Sequence, residues 1–136
     1  MGAWSHESFG NDIACDWAAD LQEGDDIVPV VAALDAVLDI GDDYLEAPEA
    51  SEAIAAAEVV ARLQGRFGVR DAYSEGLDAW VARVGIAPTP ELAAKARRAL
   101  DRIVTEPSEL LELWEDSGEP GEWHAAVADL KDRIAA

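Results

Sequence analysis

Residues 53–61 read Ala53-Ile54-Ala55-Ala56-Ala57-Glu58-Val59-Val60-Ala61, a run with a single charge. Its apolar residues do not alternate with polar ones, and alanine is the strongest helix former, so the stretch predicts a helix from a Ser51 cap to about Leu63. That helix is apolar on most sides. A helix of this kind must be covered on every face, which places it in the middle of a bundle.

Outward from this centre the periodicity stays helical, with apolar residues recurring at three and four. Asn11 or Asp12 caps a helix to about Leu21 with Ile13, Trp17 and Leu21 on one stripe. Asp25 or Asp26 opens the next, whose stripe is Ile27, Val30, Val31, Leu34, Val37 and Leu38, with Pro29 in the first turn and Gly41 at the end. A loop through Tyr44 and Pro48 leads to Ser51. Beyond the central run, short helices are expected near 72–84, with Leu77, Trp80, Val81 and Val84 inward, and near 108–116, with Leu110, Leu111 and Trp114. Between them Thr89 caps, Pro90 takes the first position, and Leu92, Ala96, Ala99, Leu100, Ile103 and Val104 form the stripe that Pro107 closes. Pro120 and Gly121 introduce a last helix carrying Trp123, Val127, Leu130 and Ile134. The expectation is an all-α multi-helix bundle of six or seven helices, residues 1–136 forming one domain behind an ordered irregular N-terminal segment.

Charge divides this chain. The first basic residue is Arg62, and fifteen Asp and Glu precede it, so residues 1–61 hold −15 of the net −19. Such a field can attract and orient a cationic partner. Nucleic acid is opposed, because a phosphate backbone needs a basic footprint larger than one helix stripe. A lone cysteine, Cys15, excludes an internal disulfide and fits a reducing, cytoplasmic setting. No stretch of 18 apolar residues exists, so no membrane span is expected, and His6 stands where a myristoylation signal wants Ser or Thr. Five tryptophans exceed what a small core requires, which leaves room for a homodimer face.

The opening Gly2-Ala3-Trp4, then Phe9, Asn11-Asp12, Ala14 and Asp16-Trp17 resembles the start of a bacterial family catalogued as domain of unknown function 4259. The runs 44–53 and 55–61 extend the resemblance, as do Ala99-Leu100-Asp101-Arg102, Ser108-Glu109-Leu110 and Leu113-Trp114. The resemblance implies no activity.

Candidate chemistry lies in four places. Trp4 and Phe9 are read as aromatic anchors that fold back on the bundle. Alternatively, His6, Glu7, Asp12 and Asp16 converge on a divalent metal or a ligand, since Asp12 and Asp16 share a helix face. Asp39, Asp42, Asp43, Glu46, Glu49 and Glu52 form the densest carboxylate cluster, without the spacing of an EF-hand, and are read as a partner-facing patch or solvated loop. Glu58 is read as half of an exposed ion pair with Arg62, the alternative being a half-buried carboxylate able to do acid or base work. Lys95, Arg98 and Arg102 share one face, and internal pairing with the acidic half is preferred to phosphate binding.

Neither His6 nor His124 falls in a nucleophile pattern, so no catalytic residue, metal or cofactor is assigned. The leading expectation is an acidic interaction module for a basic protein partner, as in an immunity protein, antitoxin or nucleic-acid mimic. A small metal- or ligand-binding protein or enzyme using N-terminal carboxylates is the second, and a helical protein with no site of its own the third.

Overall fold

The computed structural model describes residues 12–66, 75–118 and 120–134. Among them the chain forms seven helices and no strand: α1 (Asp12–Leu21), α2 (Val28–Leu38), α3 (Ala47–Leu63), α4 (Glu75–Val84), α5 (Pro90–Ile103), α6 (Glu109–Asp116) and α7 (Pro120–Arg133). The expected ordered N-terminal segment, with Trp4 and Phe9, lies outside the described residues.

The centre is α3, about 25 Å long at the usual helical rise. It packs against each of the other six helices. Every residue from Ala53 to Arg62 is buried. The alanines at 53, 55, 56, 57 and 61 explain how so many neighbours fit, because small side chains let helix axes approach toward the lower end of the usual 8–10 Å. One apolar cluster runs from Ala14, Ala18 and Leu21 of α1 to Trp123, Val127 and Leu130 of α7.

Two expectations about the helices are corrected. In α1 the buried stripe is Ala14, Ala18 and Leu21, while Ile13 and Trp17 are only half-buried at its flanks. The face turned inward is the one whose small side chains suit the crowded α3. In turn, α3 begins at Ala47 rather than after Ser51, with Pro48 in its first turn and Ser51 buried within it. No side chain of Glu46, its N-cap, satisfies the free amides. Instead Glu109, at the start of α6, accepts a hydrogen bond from the Ala47 amide at 2.8 Å. A carboxylate there also complements the positive end of the helix dipole.

The α5 start follows local rules: Thr89 Oγ1 accepts from the Leu92 amide at 3.1 Å, and Pro90 needs no donor there. Helices α2 and α5 lie side by side and parallel. Lys95 reaches Asp35 midway at 2.6 Å, and Arg102 reaches the chain just beyond the C-terminal end of α2. The described tryptophans serve the core. Trp80 and Trp123 are buried, Trp80 donates its indole N–H to the Gly24 carbonyl at 2.8 Å, and Trp123 stacks on Trp114 with ring centres 6.3 Å apart.

Candidate functional site

The carboxylates singled out between 39 and 52 fall into two groups. Asp39 closes α2, and Asp42, Asp43 and Glu46 continue along the connection to α3, all four exposed. Glu49 and Glu52 belong to α3 and are half-buried, so the expected loop cluster is shorter than the sequence suggested. Glu52 is held above the usual carboxylate range by burial, then by the charges of Glu49 and of Asp20 on α1.

The α2–α3 connection owes its shape to backbone contacts. Gly41 adopts a φ of +61°, a left-handed turn that side-chain-bearing residues resist, and lets the chain reverse after α2. Leu45 is fully buried and pairs with the chain before α6: its amide donates to the Pro107 carbonyl at 3.1 Å, and the Glu109 amide donates to the Leu45 carbonyl at 2.8 Å. Arg102 completes the fastening. Its guanidinium donates to the carbonyls of Gly41 (2.9 Å), Asp43 (2.7 Å), Thr105 (2.8 Å) and Pro107 (3.0 Å). A planar fork with five N–H donors suits this task, and an ammonium would not.

This geometry separates backbone from side chains. Arg102 spends its donors on carbonyls, and no ion pair among the described residues reaches Asp39, Asp42, Asp43 or Glu46. The carboxylates are thus held outward on a fixed frame. Tyr44 sits among them, 45% exposed, its hydroxyl donating to Glu112 Oε1 at 3.3 Å. Its phenol is held above its ordinary value by partial desolvation and by the charges of Glu112, Glu109 and Glu46.

Among the described residues, the basic face of α5 makes the expected ion pair with the acidic half only through Lys95, and otherwise meets mostly backbone. Lys95 meets Asp35, Arg102 meets the carbonyls above, and Arg97 donates to the carbonyls of Lys131 and Ile134 at 2.6 and 3.0 Å. Arg98 is exposed.

Glu58 overturns the expectation of a surface pair. Both Glu58 and Arg62 are only 2% exposed. Arg62 Nε donates to Glu58 Oε2 at 2.9 Å, and its Nη1 reaches Asp78 on α4. Arg133 of α7 supplies the rest, its Nη1 and Nη2 each 2.8 Å from one carboxylate oxygen, while its Nε meets Asp129 at 2.9 Å. The hydrogen bonds to Glu58 hold the Arg133 guanidinium well above its ordinary value. Sequence reasoning missed Arg133 and Asp78. The one available signal was a charge inside an apolar run, which demands a partner from somewhere.

Asp12 and Asp16 are exposed one turn apart on α1, whereas Trp4, His6, Phe9 and Asn11 lie outside the described residues. Among the described residues no group of three or more His, Cys, Asp or Glu is arranged to hold a metal ion. Nor is any helix there long and apolar enough to cross a membrane.

No curated protein and no solved structure matches the chain. A family profile does match, over residues 2–126, and so spans all of α1 to α6 and half of α7. The chain belongs to the family described as domain of unknown function (DUF4259).

Proposed function

We propose that the protein is an interaction module whose α2–α3 connection docks a basic protein partner, in the manner of an immunity protein, antitoxin or nucleic-acid mimic. One observation carries this reading: Asp39, Asp42, Asp43 and Glu46 are exposed and have no ion pair among the described residues, on a backbone fastened by Arg102 and the Leu45 bridge. Fixed charges of one sign lose little conformational entropy on binding and raise the rate of encounter with a cationic surface. Tyr44 adds an aromatic ring at the centre, a residue type enriched at binding hot spots. The cytoplasm suits such a module, with its single half-buried cysteine, Cys15.

The test is affinity capture from the native host with the wild-type chain and with the variant Asp39→Asn, Asp42→Asn, Asp43→Asn, Glu46→Gln. A basic protein should be retained at low salt, released at about 1 M salt, where the Debye length shrinks to about 3 Å, and not retained by the variant. Equal retention by both chains would reject this surface.

A further inference from the structure

We draw no further inference here: the strongest candidate, the exposed Tyr44 ring bonded to Glu112 of α6 at the edge of the acidic α2–α3 connection, belongs to the docking surface already described, and nothing in the structure beyond that surface's own carboxylates shows what covers it.

Discussion

Arg133, near the end of the last helix, holds Glu58 in the middle of the central one through two hydrogen bonds of 2.8 Å, one to each carboxylate oxygen. Arg62 adds a third at 2.9 Å and ties the group to Asp78 of α4. A carboxylate placed inside the apolar stretch 53–61 of α3 thereby ties two other helices to it. An apolar residue at 58 would fill the same space without choosing between neighbours, so the network supplies register to the packing of α3, α4 and α7.

Removing one partner should expose that dependence. Arg133→Met leaves Glu58 buried with one guanidinium fewer, and breaking a buried pair costs about 3–5 kcal/mol when one charge is stranded. Because Arg62 stays, we expect the lower end, about 3 kcal/mol, in urea denaturation. Glu58→Met combined with Arg133→Met should recover much of the loss, and a double variant no more stable than the single one would contradict the coupling.

Arg102→Ala should loosen the α2–α3 connection while leaving the bundle folded. Four carbonyls lose a hydrogen bond, Pro107 keeping the one from the Leu45 amide, and those at Gly41 and Asp43 belong to the connection itself. Exchange of the amides from Gly41 to Leu45 should accelerate, with a stability loss of about 1–3 kcal/mol. Arg102→Lys should behave like alanine in exchange, since one ammonium cannot span these acceptors. Unaltered protection in both variants would show that the Leu45 bridge alone holds the loop.

Local signals were enough for the helices and failed where a distant residue decides. Thr89-Pro90 carries its own cap, and α5 begins where the sequence places it. Ser51 looked like an equally good cap, yet α3 starts at Ala47 because Glu109, 62 residues away, satisfies its first amide. Likewise Glu58 and Arg62, four apart, had the spacing of a surface pair. Their burial follows from α4 and α7 closing over them, and the decisive Arg133 is 75 residues distant. The stripe of α1 was misread for a related reason: Ile13 and Trp17 are larger apolar groups than Ala14 and Ala18, but the alanine-rich α3 sets how much volume can enter. The acidic connection was legible as composition. That its backbone is fastened while its carboxylates point outward required the Arg102 contacts.

Salt should stabilise the fold. Exposed carboxylates of the first half repel across the surface, and raising ionic strength from about 0.01 to 1 M shortens the Debye length from about 30 to 3 Å. We expect the melting temperature to climb with sodium chloride and then level off. The quadruple variant that neutralises Asp39, Asp42, Asp43 and Glu46 should be more stable at low salt and respond less. The Glu58 network should not reverse this trend, since buried pairs are screened far less than exposed ones. A melting temperature that falls with sodium chloride would mean that surface attraction outweighs repulsion.

Mild acid should help the fold through Glu52. Its folded-state value lies above the ordinary 4.5, raised by burial and by Glu49 and Asp20, so the native state binds its proton more readily than the unfolded chain does. Between the ordinary value and the raised one, the native state carries more protons, and stability therefore falls as pH rises through that window. The favourable contribution is complete below 4.5 and gone once pH has passed the raised value. Glu52→Gln removes the charge at every pH, so it should stabilise the protein near pH 7 and flatten this part of the stability profile. Melting temperatures of both chains, measured from neutral pH down to the ordinary carboxylate value, check the sign. If the wild type shows the flatter profile, or the glutamine variant is the less stable at neutral pH, then Glu52 is stabilised by its surroundings as an anion and the crowding of carboxylates between α1 and α3 is relieved in solution.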